Sequence, residues 1–153
     1  MDKDGTCYLT GVNCVADIAY QCFMAAKNLY GKANGTFFYQ YVQSFSPQER
    51  ITPTEAHGIA LELAKKFFPG CEVLVATHLD TEHLHSHFII NSVQPDTGRK
   101  LHFTPRTLER MRVLSDQICR EHGLSTLSSL RSCWACDNEG VDCCPSMEIA
   151  IYC

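Results

Sequence analysis

Histidines are crowded into one short stretch of this 153-residue chain. Four of the seven fall within the ten residues HLDTEHLHSH, which begin at His78 and include Asp80. Neutral imidazole nitrogens are good ligands for transition metals, and a site with three protein ligands keeps coordination positions open for a substrate. A surface loop would account for one histidine, whereas four histidines at this spacing predict a catalytic metal site.

The residues that follow alternate in polarity as a half-buried β-strand does. Every second side chain of a strand points to the same face, so HLHSHFIINSV would have one polar and one apolar face. The predicted polar face contains His83, His85, His87 and Asn91. The predicted apolar face contains Leu84, Phe88 and Ile90. We expect the apolar face to pack on helices and the imidazoles to lie on the open face of a sheet.

His78 ends the preceding predicted strand, CEVLVAT. A tight turn over residues 78–82 would fold it back beside His85 and His87, so that three imidazoles converge from two adjacent strands. Asp80 is suited to accept the second ring N–H of a ligand histidine and thereby fix its tautomer. The predicted metal ligands are therefore His78, His85 and His87, with Asp80 behind them.

The elements that must position this strand pair are predicted from start and stop signals. CYLTGVNC and TFFYQYVQSF are predicted to be strands. VADIAYQCFMAAKNLYG, between them, is predicted to be a helix that packs through Ile18, Cys22, Ala25, Ala26 and Leu29. The helix TPTEAHGIALELAKKFFPG has the strongest signals, with Thr52 as N-cap, Pro53 in the first position and Glu55 completing a capping box.

A short strand around Leu101–Phe103 and a long helix from Thr104 to Gly123 complete the predicted order. Strands joined as hairpins and mixed with helices predict an α+β fold. We expect a central antiparallel or mixed sheet of about five strands, with the helices packed mainly on one face.

Composition predicts one globular domain with a distinct tail. No apolar run approaches the roughly 20 residues of a membrane span, and the N-terminus lacks the build of a signal peptide, so we expect a cytoplasmic protein with no membrane segment. Five of the ten cysteines lie in the last 21 residues, and residues 128–153 contain four acidic residues and one basic residue. We therefore predict a main domain over 1–127 and a Cys-rich tail over 128–153 that is disordered or foreign to the domain. Cys133, Cys136, Cys143 and Cys144 are possible zinc ligands, in a spacing that fits no zinc module known to us.

A local basic stripe contrasts with the net charge of −4. The segment GRKLHFTPRTLERMR contains Arg99, Lys100, Arg106, Arg110 and Arg112. These side chains are candidates for contacts with DNA phosphates, although a solvated helix face would have the same composition. Phe37, Tyr39 and Tyr41 could stack on bases, with core packing as the simpler interpretation. His57 and His122 are expected to be surface or cap residues.

The histidine pattern, His-x-Asp-x-x-His-x-His-x-His-x-x-x-Asn from His78 to Asn91, resembles the third motif of the relaxases. These are mobilisation nucleases of the HUH endonuclease superfamily, and the flanking segments resemble the VirD-like, MobA/MobL-type branch. The segments that carry this resemblance, in order, are YLTGVNC, LYGK, YQYVQSF, TPTEAHGIALELAKKFFPG, VLVATHLDTEHLHSHFIINSV and SDQICREHGLS. The resemblance extends from Tyr8 to Leu127.

The resemblance implies an HUH palm fold and a strand-specific nickase that acts on single-stranded DNA at an origin of transfer, in the mobilisation of plasmids or integrative conjugative elements. A tyrosine would attack the scissile phosphodiester and become linked to the 5′ phosphate. Carried over by position, His85, His87 and His78 would bind Mg or Mn, with His83 near the site and Asp80 orienting a ligand. Asn91 would face the DNA, and accessory proteins of a relaxosome are possible partners.

One departure concerns the nucleophile, because the family's tyrosine lies in a segment that precedes the TGVNC strand. Tyr8 is the one upstream candidate, and it occupies a position where the family has an ordinary strand residue. We therefore expect a truncated member that lacks this first motif. An inactive remnant that binds single-stranded DNA is the alternative, and a metal-dependent hydrolase of small phosphodiesters is a third hypothesis.

Overall fold

The computed structural model describes residues 7–79, 84–126 and 148–152. Within these ranges the strands are β1 (Cys7–Val12), β2 (Phe38–Ser44), β3 (Val73–Leu79), β4 (Leu84–Asn91) and β5 (Glu148–Tyr152). The helices are α1 (Ala19–Leu29), preceded by a 3-10 turn over Ala16–Ile18, α2 (Pro53–Phe67) and α3 (Pro105–Glu121). The expected α+β class is confirmed. No helix among the described residues has the length and apolar character needed to cross a membrane.

The sheet has five strands in the order β1-β3-β4-β2-β5 and is mixed. The first four strands pair in antiparallel fashion, and β5 pairs with β2 in parallel. The predicted fifth strand around Leu101–Phe103 is wrong, because these residues are irregular and pairing there is limited to a single bridge between Val93 and Lys100. The fifth strand comes instead from the Cys-rich segment, and the rest of that segment up to residue 147 lies outside the described residues.

Helix α2 begins where its sequence signals place it. The Thr52 hydroxyl accepts from the Glu55 backbone N–H at 3.2 Å, and the Glu55 carboxylate accepts from the Thr52 backbone N–H at 2.8 Å. This reciprocal pair satisfies two of the backbone donors that a helix start leaves unpaired. Thr104 and Thr107 form the same motif at the start of α3.

The core lies between one face of the sheet and helices α2 and α3. β4 contributes Leu84, Phe88 and Ile90, and the last two are fully buried. Ile59 and Leu63 of α2 and Ile118 of α3 pack against this face. Burying an apolar side chain of this size stabilises a fold by about 1.5–3 kcal/mol, so these contacts hold β4 firmly in place. The predicted apolar face of β4 is confirmed.

Helix α1 packs differently from the prediction. Its buried residues are Ala19, Phe23, Ala26 and Lys27. Leu29 and Ile18, expected inside, are 74% and 46% exposed. The helix begins later than predicted and faces the sheet with a different set of residues. Its contact with the far end of β4 therefore includes a polar one, from Lys27 to Asn91.

Candidate metal centre

The hairpin of β3 and β4 brings three imidazoles to one face of the sheet. His78 pairs directly with His85 across the hairpin, and His87 follows two residues further along β4, opposite Ala76. Because directly paired residues share a face and residues two apart on one strand also share a face, all three rings project to the same side. Leu84 and Phe88 project to the other side and anchor β4 in the core.

The three rings are close neighbours. Ring centroids are 3.9 Å apart for His78 and His85, and 5.0 Å apart for both pairs that include His87. One ring nitrogen from each histidine can be chosen so that all three lie within 4.8 Å of one another, and each side chain is half-buried. The structure thus brings together the three residues predicted as ligands from two separate strands.

The donor set fits a divalent cation once the three rings turn toward one another. Nitrogens that bind one metal tetrahedrally at about 2.1 Å lie about 3.4 Å apart. The three ring nitrogens lie within 4.8 Å of one another, so they would have to close by up to about 1.4 Å. Three nitrogen donors leave coordination positions open, which is the arrangement of a catalytic site and not of a closed structural site. Nitrogen ligands suit transition metals better than Mg, which prefers oxygen.

A polar network supports the site from the opposite face. The hydroxyls of Thr77 and Ser86, each next in sequence to a triad histidine, lie 2.6 Å apart. His57 of α2 reaches Thr77 through Nδ1 at 2.9 Å and Thr10 of β1 through Nε2 at 2.8 Å. This network joins β1, β3 and β4 to α2 directly behind His78 and His85.

His57 is therefore a buried residue, and its expected place on the surface is wrong. Burial lowers the pKa of His57 below its usual value, which favours the neutral ring. A neutral ring has one donor and one acceptor nitrogen, which matches two threonine hydroxyls that can each take either role. His122, by contrast, is exposed at the end of α3, where its Nε2 lies 3.0 Å from Glu62.

Comparison with known proteins adds an independent observation. The sequence model of the family described as "Relaxase: MobA/VirD2-like, nuclease domain" matches residues 1–124. The chain belongs to this family. The predicted relationship to relaxases is thereby confirmed.

Three curated relatives show how much of a relaxase the chain represents. It is 43% identical over 116 residues to one Protein rlx of Staphylococcus aureus and 41% identical over 116 residues to another, and each match covers 76% of this chain and 36% of the relative. It is 39% identical over 70 residues to the group II intron-interrupted relaxase LtrB of Lactococcus lactis subsp. cremoris strain MG1363, which covers 45% of this chain and 12% of the relative. The matched region thus spans about a third of the rlx proteins. No solved structure matches.

Tyr8 lies on the opposite side of the relaxase sheet from the histidine triad. It pairs with Thr77, so its side chain shares the helix-covered face. Its hydroxyl accepts a hydrogen bond from the Thr54 hydroxyl at 3.1 Å, and its ring lies 5.7 Å from the His57 ring. The sheet therefore separates the Tyr8 hydroxyl from the triad, which argues against Tyr8 as the nucleophile.

Asn91 is on the triad face, as its alternation predicts, but it is completely buried. Its amide nitrogen donates to Glu72 at 2.7 Å and to the Phe23 carbonyl at 3.4 Å, and its amide oxygen accepts from Lys27. These contacts fix α1 on the sheet, about 20 Å along β4 from His85 at the usual rise per residue. The predicted DNA contact of Asn91 does not fit this structure, because burial excludes a ligand.

The predicted basic stripe is exposed but lies away from the triad. Arg106, Arg110 and Arg112 are on α3, which covers the other face of the sheet. Arg99 and Lys100 follow the far end of β4, where the Lys100 ammonium donates to the Asn34 carbonyl. Exposure keeps all five available for phosphates, yet none of them lines the histidine triad.

The aromatic side chains of β2 divide between core and surface. Tyr39 donates to the Leu101 carbonyl at 3.1 Å, and Tyr41 is 2% exposed. Phe37 precedes β2 and is 46% exposed. Core packing is thus confirmed for the two tyrosines, while Phe37 lies on the surface. Asp80 and His83 lie outside the described residues, so their predicted roles stay predictions.

Two residues near the triad were not anticipated from the sequence. Ser44 is the β2 partner of His85, and Gln40 places Nε2 at 3.4 Å from Nδ1 of His87. The pairing of β2 with β4 produces both contacts. No sequence signal links a strand to the neighbour it will choose, although the alternation of β2 does put Gln40 and Ser44 on one face.

Proposed function

We propose that this chain carries the metal centre of a relaxase that nicks and rejoins single-stranded DNA at an origin of transfer, in the mobilisation of a plasmid or an integrative conjugative element. The observation that carries the proposal is the convergence of His78, His85 and His87 on one sheet face in a member of the relaxase nuclease family. The cation would be Mg or Mn, and of these two the three nitrogen donors favour Mn.

The residues divide the work by position. His78, His85 and His87 would hold the cation, and the pairing of β3 with β4 places the three rings side by side. A bound cation offsets negative charge on the phosphoryl oxygens and aligns the phosphate for in-line attack. Asp80 and His83, which follow and precede the two strands, would orient a ligand and line the site.

The proposed reaction is a phosphoryl transfer from DNA to a tyrosine. The tyrosine oxygen forms a bond to phosphorus as the bond from phosphorus to the 3′ oxygen breaks. The phenol loses its proton to a base or to water, and the departing 3′ oxygen gains one. The product is a 5′ phosphotyrosine link and a free 3′ hydroxyl, and rejoining reverses these steps.

The exposed basic residues would bind DNA outside the metal centre. Arg99 and Lys100 are exposed and follow the end of β4 that is far from the triad, where they would contact the DNA strand as it leaves the site. Arg106, Arg110 and Arg112 on α3 would contact DNA that passes around the sheet, or accessory proteins of a relaxosome.

A second candidate function is that of an inactive remnant that binds single-stranded DNA without cleaving it. The observation that favours it is the position of the Tyr8 hydroxyl, which is bound to Thr54 on the other face. The two candidates share a fold and differ in whether a covalent link to DNA forms.

The first test measures Mn²⁺ binding by calorimetry and electron paramagnetic resonance. We expect wild-type protein to bind one Mn²⁺ and His85→Ala or His87→Ala to lose at least about tenfold in affinity. His102→Ala, which removes an exposed histidine elsewhere, is the matched control. Equal affinity in all four proteins would contradict the proposed metal centre.

The second test separates the nickase from the remnant. The full chain is incubated with Mn²⁺ and a labelled single strand that spans the origin of its own element, and covalent adducts are separated under denaturing conditions. An adduct supports the nickase, and its absence with retained binding supports the remnant. Tyr8→Phe and Tyr152→Phe identify the nucleophile; Tyr152 is included because its backbone is level with Ser44, the partner of His85.

A further inference from the structure

Gln40 comes from outside the histidine-rich stretch and contacts one histidine of the triad. Its Nε2 lies 3.4 Å from Nδ1 of His87. In the register of β2 with β4, His87 pairs with Val42, so Gln40 is a diagonal neighbour on the same face. Diagonal neighbours on adjacent strands are within reach of long side chains such as glutamine.

This contact determines which nitrogen of His87 faces a metal. With Nδ1 turned toward Gln40, Nε2 is the nitrogen left to converge with His78 and His85. An imidazole that binds a metal through Nε2 keeps its proton on Nδ1, and that N–H almost always donates to an oxygen acceptor. An oxygen acceptor at the position of Gln40 would therefore suit the metal-bound site.

The glutamine amide can supply that acceptor without moving its stem. Its oxygen and nitrogen are nearly equal in size, and a half-turn about the Cγ–Cδ bond exchanges them. After the half-turn, Oε1 accepts from the Nδ1–H of His87. We propose that Gln40 is a positioning residue for the metal ligand His87, which selects the Nδ1–H tautomer and presents Nε2 to the cation.

The setting of Gln40 suits this role. β2 is paired on both sides, with β4 and with β5, so the backbone at Gln40 is fixed. The side chain is half-buried, and the contact joins two strands that are adjacent in the sheet but distant in sequence. The role differs from that expected for Asp80, which is part of the histidine-rich stretch itself.

The inference rests on the proposed metal centre, and its test is built to separate the two. Mn²⁺ affinity is measured for wild type, Gln40→Met, Gln40→Glu and the control Gln117→Met, which makes the same change on the exposed surface of α3. We expect Gln40→Met to weaken binding by roughly 10- to 100-fold. Gln40→Glu keeps an acceptor and is expected to bind at least as tightly as wild type, while Gln117→Met is unchanged.

A spectroscopic measurement reports on the tautomer directly. With ¹⁵N-labelled histidine and diamagnetic Zn²⁺ as the probe, we expect a single Nδ1–H form of His87 in wild type and a faster-exchanging Nδ1 proton in Gln40→Met. If wild type binds Mn²⁺ through the triad but Gln40→Met binds equally well, or if Gln40→Glu fails to restore affinity in a folded protein, the role of Gln40 is refuted while the metal centre stands. If wild type binds no Mn²⁺, both are refuted.

Discussion

Replacing Lys27 with methionine should change how stability depends on pH. Lys27 is 1% exposed, and its ammonium donates to Asn91 beside the buried carboxylate of Glu72. Burial lowers the pKa of Lys27 from 10.5 to about 8; Glu72 acts in the opposite direction, and Lys100 adds to the lowering. Methionine has a similar length and cannot titrate, so Lys27→Met isolates this one group.

The sign follows from which state binds the proton more tightly. Below about pH 8 both the folded and the unfolded chain carry the charge, and the buried ammonium lowers folded stability. Between about pH 8 and 10.5 the folded chain has lost the proton that the unfolded chain still binds, so the free energy of unfolding rises with pH. At about 1.4 kcal/mol per pH unit, the rise is about 3 kcal/mol at most.

The assay is urea unfolding of wild type and Lys27→Met under reducing conditions at several pH values from about 7.5 to about 10.5. Other groups titrate alike in both proteins, so the difference in unfolding free energy between them reports Lys27. We expect wild type to gain about 1.5–3 kcal/mol relative to the variant across this range. Lys65→Met, which removes an exposed lysine from α2, is the matched control. The reasoning would be refuted if the difference in unfolding free energy between wild type and Lys27→Met stayed constant with pH.

Two further predictions concern stability away from Lys27. Thr52→Ala removes the capping box of α2 and should lower the free energy of unfolding by about 1 kcal/mol in urea titrations, with recovery in Thr52→Ser; no loss would contradict the role of the cap. Ser86→Ala leaves Thr77 without its 2.6 Å partner in a fully buried setting and should cost about 1–3 kcal/mol in the same titrations. Ser125→Ala, which removes a serine hydroxyl from an exposed position, is the control and should cost clearly less; equal losses in the two variants would contradict the role of the buried pair.

The convergence of the three histidines could be predicted because the pattern that produces it is local. His78, His85 and His87 are separated by one turn and one strand period, so alternation and a hairpin suffice to bring them together. The capped helix α2 is local in the same sense, because Thr52 and Glu55 satisfy each other within one turn.

The features that the sequence did not predict depend on contacts between distant segments. Asn91 alternates with the histidines, but α1 folds over it and converts a surface position into a buried one. The sequence around His57 predicts an ordinary helix residue. Its burial depends on Thr10 and Thr77, which β1 and β3 place against its ring. Gln40 contacts His87 because β2 pairs with β4, and this pairing depends on the packing of the whole sheet.

The separation of core residues and histidines on the two faces of β4 has a consequence for the evolution of such proteins. Phe88 and Ile90 hold the fold from one side, while His85 and His87 carry no part of that core. A lineage can therefore lose its histidines one at a time and keep the fold, whereas replacing Phe88 with alanine would cost about 3–5 kcal/mol of stability. In this architecture the imidazoles can be lost without loss of the fold, and relatives that retain the sheet without the imidazoles are the expected result.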